Sequence, residues 1–153
     1  DNISFKFIQK IGKVTEKGEC IISYPKKILC RYDDKYNKIL VSNGKSLVIN
    51  SKKITNYLRY QLKDTPLNLI LDKRFLLDKL ENVELIREND ETFSFKIIHN
   101  DNLLNIFFDK ESYDIKGWTT TDVYLNTVET KLFDINTNKI IDKKLFRVQN
   151  YIN

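Results

Sequence analysis

Asn43-Gly44, set between the β-prone runs Ile39-Leu40-Val41 and Leu47-Val48-Ile49, constrains the fold of this chain more than any other feature. The dipeptide tolerates the positive φ angles of a two-residue type I′ turn, so the flanking runs predict an antiparallel hairpin. Upstream, Gly18 to Tyr24 and Ile28 to Tyr32 form a second such pair around Pro25, and Ile3, Phe5 and Phe7 alternate with Ser4, Lys6 and Ile8 at strand period. Lys38 to Ser42, Lys45 to Asn50 and Lys53 to Leu62 continue the ladder. After an interruption, Val83 to Arg87, Thr92 to Ile98, Leu103 to Asp109, Ile115 to Thr121, Val123 to Phe133 and Ile140 to Val148 resume it. Turn residues fall between: Asn89-Asp90, His99-Asn100-Asp101 and Asn136-Thr137-Asn138. About ten or eleven consecutive strands predict one antiparallel sheet, and a sheet that long curls and presents a concave face.

The interruption, residues 64–81, reads as a helical insert. Asp64 or Thr65 can cap, Pro66 suits the first helical position, and Leu67, Ile70 and Leu71 share a face. Leu69 makes this short helix apolar nearly all round, and Phe75, Leu76, Leu77 and Leu80 follow in a second helical stretch. A helix apolar on two sides is buried on two sides. One side can pack on the sheet rim; the other needs core or ligand.

At 153 residues and 41% hydrophobic, the chain suits one domain, residues 1–153, with a core of its own. Its net charge of +5 is dispersed in pairs such as Lys26-Lys27, Lys52-Lys53 and Lys143-Lys144, as on a solvated surface. No apolar run reaches the roughly 18 residues of a membrane span. The chain enters strand pattern by Ile3, which predicts that upstream residues, including any targeting segment, have been removed. Cys20 and Cys30 flank Pro25 symmetrically on what would be one hairpin face. They are either two buried thiols or a cross-strand disulfide formed in an oxidising compartment.

Little of the sequence points to catalysis. Gly44-Lys45-Ser46 resembles the end of a phosphate loop, but Ile39 stands where that motif needs glycine. Asp109, Glu111 and Asp114 crowd one turn without the spacing of a calcium loop. With His99 the only histidine, there is no matched nucleophile and base, no CxxC zinc pattern, and no expected cofactor or metal. Trp118, in Gly117-Trp118-Thr119, reads as a core aromatic.

The order of these pieces resembles the periplasmic lipoprotein carrier family, LolA. Phe7-Ile8-Gln9 sits at its F-x-Q strand and Gly18-Glu19-Cys20-Ile21 at its glycine-led strand. Tyr24-Pro25-Lys26-Lys27-Ile28 with Tyr32 falls on its Arg-Pro and tyrosine pattern. Val41-Ser42-Asn43-Gly44-Lys45-Ser46-Leu47 is similar to its V-S-D-G-K-x-L turn, and Asp64-Thr65-Pro66-Leu67 to Leu71 to its lid helix. Phe93 onward and Lys144-Leu145-Phe146-Arg147-Val148 fit its last strands.

The resemblance implies a mainly β fold: an unclosed antiparallel barrel of about eleven strands under a helical lid. It also implies a periplasmic, monomeric, non-enzymatic carrier that takes lipoprotein acyl chains from an inner-membrane lipoprotein-releasing ABC transporter (LolCDE-like) to the outer membrane, through an acceptor there if one exists. The acyl-chain cavity expected from it is lined by Phe5, Phe7, Cys20, Ile22, Ile28, Cys30, Tyr32, Leu47 and Ile49, and the lid carries Leu67, Leu69, Ile70, Leu71 and Leu76. Two departures stand out. The family's N-terminal helix has no counterpart before Phe5, and its lid-latching arginine aligns with Tyr24, leaving Tyr24, or Arg31 or Arg59, as the latch. The rival readings are a related open barrel, either a LolB-like acceptor or a sensor of lipid or misfolded protein, and a basic β-protein binding nucleic acid. Against the last, the aromatic residues alternate inward instead of clustering with lysines.

Overall fold

The computed structural model describes residues 1–82, 87–88, 90–99, 102–121 and 125–152. It contains one sheet of 11 strands: β1 (Asn2–Ile11), β2 (Val14–Ser23), β3 (Lys27–Tyr32), β4 (Ile39–Asn43), β5 (Ser46–Asn50), β6 (Leu58–Gln61), β7 (Arg87–Glu88), β8 (Thr92–His99), β9 (Asn102–Asp109), β10 (Ile115–Thr121) and β11 (Thr127–Thr137). The order is β6-β5-β4-β3-β2-β1-β11-β10-β9-β8-β7, with antiparallel neighbours throughout. Only the β1–β11 pairing is non-sequential, so the sheet is a meander folded back on itself and left open between β6 and β7.

That topology places the helices. The chain must pass from edge strand β6 to edge strand β7, and it does so through α1 (Leu67–Ile70) and α2 (Lys73–Asn82). The insert therefore spans the gap of the open barrel. A four-residue helix has no stability of its own; Leu69, Ile70 and Leu71 are buried in the main core, which secures it. Asp72 starts α2 by accepting a hydrogen bond from the Phe75 N–H at 3.0 Å.

The main core fills the concave side, where Phe5, Phe7, Ile22, Ile28 and Leu47 of β1–β5 meet Phe95, Leu104, Ile106, Phe108 and Trp118 of β8–β10. Cys20 and Cys30 lie directly opposite on β2 and β3 and are joined in a disulfide, which resolves the two readings left open by the sequence.

Four expectations change, one being that the strand expected over Lys53 to Leu62 forms only at Leu58–Gln61. The first hairpin is longer than predicted, because Ile11 pairs with Val14 around Gly12-Lys13 and β2 starts well before Gly18. The Asn43-Gly44 turn does form a hairpin, but only Gly44 (φ 106°) takes positive φ. Asn43 instead uses its side-chain oxygen to accept from the N–H groups of Lys45 and Ser46, both at 2.9 Å, which widens the turn beyond the two-residue type. Lastly, residues 140–148 are no strand. They contain the 3-10 turn Lys143–Phe146, capped by Asp142 and followed by a second, Val148–Tyr151. Phe146 and Val148 cover Leu29, Val41 and Val48 on the convex face as a small second core. The predicted strand over 83–87 and the turns at 89 and 100–101 fall largely outside the described residues, as does the 122–124 stretch beside the expected Val123 to Phe133 strand.

Candidate functional site

Strand alternation aims Phe5, Phe7 and Gln9 of β1 inward together, and the same parity on β11 aims Thr130 and Leu132 inward opposite Gln9 and Phe7. Between these strands and β2–β5 lies an apolar cavity of about 260 Å³, roofed by α1. This is at or below the low end of the roughly 300–1,000 Å³ usual for ligand sites, so the roof must yield to admit a large guest.

All the cavity residues expected from the sequence line it except Ile22, which is fully buried in the core beside it. Of the expected lid residues, Leu67 and Ile70 face the cavity, whereas Leu69, Leu71 and Leu76 pack into the core and hold the roof down. Leu40, Pro66 and Trp118 add apolar wall, and Gln9, Thr65, Thr120 and Thr130 add polar atoms. Sequence reasoning passed over Gln9 and Thr130 because they are polar, although Gln9 shares the parity of Phe5 and Phe7.

Gly18 shapes the floor. A Cβ there would collide with the Arg31 carbonyl and press on the Phe7 ring, so glycine lets that ring lie across β2. The freed Phe7 meets Tyr32 edge to face, with centroids 5.1 Å apart. At the end remote from α1, Lys38 pairs with Glu16 at 2.9 Å and its ammonium stands 4.3 Å from the Tyr32 ring centre. Burial, with Glu16 and Asp34 nearby, pushes the Tyr32 phenol well above its ordinary range, so it stays a neutral hydrogen-bonding group.

Of the residues around the lid, Lys26 and not the expected latch candidates contacts α1 through its side chain. Tyr24 lies against α2 and Asp114; burial and then the Asp114 charge raise its phenol to about 12, and among the described residues no hydrogen bond joins it to the carbonyls of α1. Arg59 donates to Ser46 and Arg31 stacks over Tyr151, both away from the lid. Lys26 makes the connection. Its ammonium donates to the Asn68 carbonyl at 2.6 Å and to Asn68 Oδ1 at 2.8 Å, and lies 3.4 Å from Asp72. Its backbone N–H donates to the Leu71 carbonyl at 2.9 Å, and its own carbonyl accepts from the buried Ser42 hydroxyl at 2.9 Å. One residue, at φ 71°, thus ties the β2–β3 turn, the β4–β5 turn and the lid together.

Among the described residues no group of His, Cys, Asp or Glu is arranged to hold a metal, and no helix is long and apolar enough to cross a membrane. The arrangement can enclose an apolar guest reversibly.

The profile of the family described as outer membrane lipoprotein carrier protein LolA matches residues 2–149. An uncharacterized conserved protein from Thermus thermophilus superposes with a TM-score of 0.55 at 6% identity, covering 95% of this chain and 84% of its own. A LolA superfamily protein from Nitrosomonas europaea gives a TM-score of 0.47 at 6% identity over 97% and 90% of the two chains. Lipoprotein LppX from Mycobacterium tuberculosis gives 0.43 at 10% identity over 91% and 89%. No protein of curated function matches the chain.

Proposed function

The chain belongs to the LolA family of outer membrane lipoprotein carrier proteins, and from that premise we propose that it shelters the acyl chains of lipoproteins in the cavity under α1 while carrying them through the periplasm from inner to outer membrane. The observation that carries this reading is the apolar cavity of an open barrel roofed by α1, part of the helical insert that follows edge strand β6. The Cys20–Cys30 disulfide supports an oxidising compartment such as the periplasm. An inner-membrane lipoprotein-releasing transporter would load the carrier, and an outer-membrane acceptor, if present, would unload it.

The energetics suit a carrier. Each methylene removed from water contributes about 0.8 kcal/mol, so roughly ten of them gain about 8 kcal/mol. Lifting Leu67 and Ile70 out of the cavity returns about 1.5–3 kcal/mol each if they meet water. The guest therefore displaces the roof at a modest net gain, and a modest gain permits release. No covalent chemistry is required.

The test is displacement of an environment-sensitive apolar dye by a long-chain acylated peptide. The wild-type protein should bind the dye and release it to the peptide. Ile70→Glu places a charge on the cavity side of the lid and should abolish both, with the β-sheet circular dichroism retained. Failure of the wild type to bind either compound would reject the carrier reading. Normal acyl binding by a folded Ile70→Glu variant would reject α1 as the lid.

A further inference from the structure

The cavity is not uniformly apolar, and its polar atoms gather at one end. Near α1 its walls are Phe5, Ile28, Leu47, Leu67 and Ile70, and the one hydroxyl there, Thr65, is engaged in donating to the Leu62 carbonyl at 2.9 Å. Two rungs along β1 the lining changes. Gln9 stands directly opposite Thr130 on β11, Thr130 stands opposite Trp118 on β10, and Thr120 follows on the same face of β10. Thr130 is only 5% exposed, yet among the described residues neither its hydroxyl, nor that of Thr120, nor the Gln9 amide has a hydrogen-bond partner in the protein. These polar atoms border the cavity and are engaged by no other protein group, so they are available to hydrogen-bond an acceptor on a guest. Three neutral donors on adjacent strands suit an uncharged acceptor; an ion brought in beside them would have to shed its water without a counter-charge. Charge begins just beyond, at the Glu16–Lys38 pair, Glu16 being the cross-strand neighbour of Gln9.

We propose that Gln9, Thr120 and Thr130 form a subsite for the ester or amide carbonyl that links an acyl chain to its polar carrier. The hydrocarbon then lies against the apolar wall under α1. This rests on the acyl-carrier reading above and adds to it a preference for acyl over alkyl linkages.

The experiment compares a monoacylglycerol with the alkyl glycerol ether of the same chain length, which keeps the hydrocarbon and glycerol but lacks the carbonyl. Trp118, the single tryptophan, lines the cavity beside Thr130 and reports binding by fluorescence. The wild type should bind the ester about five- to tenfold more tightly, as expected for one or two neutral hydrogen bonds. Thr130→Val, which keeps the side-chain shape, should bring that ratio close to one by weakening the ester more than the ether; Thr120→Val should act in the same direction. Equal affinity for ester and ether in the wild type, which needs no variant to fold, would overturn the subsite and leave the acyl carrier standing. So would a Thr130→Val variant that weakens both ligands alike. Binding of neither ligand would overturn the carrier reading and the subsite with it.

Discussion

At the scale of single residues, Lys26 holds the most consequential position. Its ammonium, about a quarter exposed, satisfies a helix carbonyl and an amide oxygen and neighbours the Asp72 carboxylate that starts α2. Hydrogen bonds from a charged donor contribute about 1.5–3 kcal/mol, much of what a four-residue helix needs to stay docked. Lys26→Met keeps the length of the side chain and removes the charge. Amide hydrogen exchange over residues 67–72 should then quicken about tenfold or more, with exchange in β1, β2 and β3 unchanged. Unchanged protection of the lid would show that Leu69 and Leu71 hold it without the lysine. Nothing in the sequence marks Lys26 for this role. The latch depends on a backbone at φ 71° and on α1 arriving beside the turn, and neither is visible in local pattern.

At the scale of elements, the two sides of the sheet do different work. The concave side carries the cavity, while the convex side of β3–β5 is sealed by the C-terminal 3-10 turns through Phe146 and Val148. Phe146 is 2% exposed, and truncating a buried phenylalanine costs about 3–5 kcal/mol. Phe146→Ala should therefore lower the midpoint of denaturant unfolding markedly while leaving acyl-ligand affinity of the folded protein unchanged. A loss of affinity in parallel with stability would mean that the convex strap shapes the cavity. This strap also shows where strand period misleads. Phe146 and Val148 alternate with Leu145 and Arg147 as in a strand, but β11 already has β1 and β10 on its two sides, so the segment lies across the sheet face instead. Alternation reports which side chains are buried together and does not supply a pairing edge. The same alternation groups Phe5, Phe7, Cys20, Ile28, Cys30, Leu47 and Ile49, which line the cavity together, because face parity in a strand is a local property.

At the scale of the whole molecule, one topological fact accounts for the arrangement. An antiparallel sheet of 11 strands closes its middle through β1–β11 and leaves β6 and β7 as edges, and the chain between those edges must cross the opening. A crossing segment with apolar residues on two sides roofs the space, and its shortness leaves it dependent on contacts that a guest can replace. The order of strands, the helical insert and the twin cysteines were legible in the sequence, since turn chemistry and period mark them locally. The closure through β1–β11 and the polar end of the cavity were not, because each arises from residues more than a hundred positions apart, as with Gln9 and Thr130. On the proposed function, a lipoprotein's acyl chains enter the space between Trp118 and α1. Quenching of the single tryptophan by an acylated peptide with bromine on its acyl chain reports that entry. Strong quenching that is lost in Ile70→Glu is the predicted result; a bound peptide that leaves Trp118 emission unchanged would contradict it.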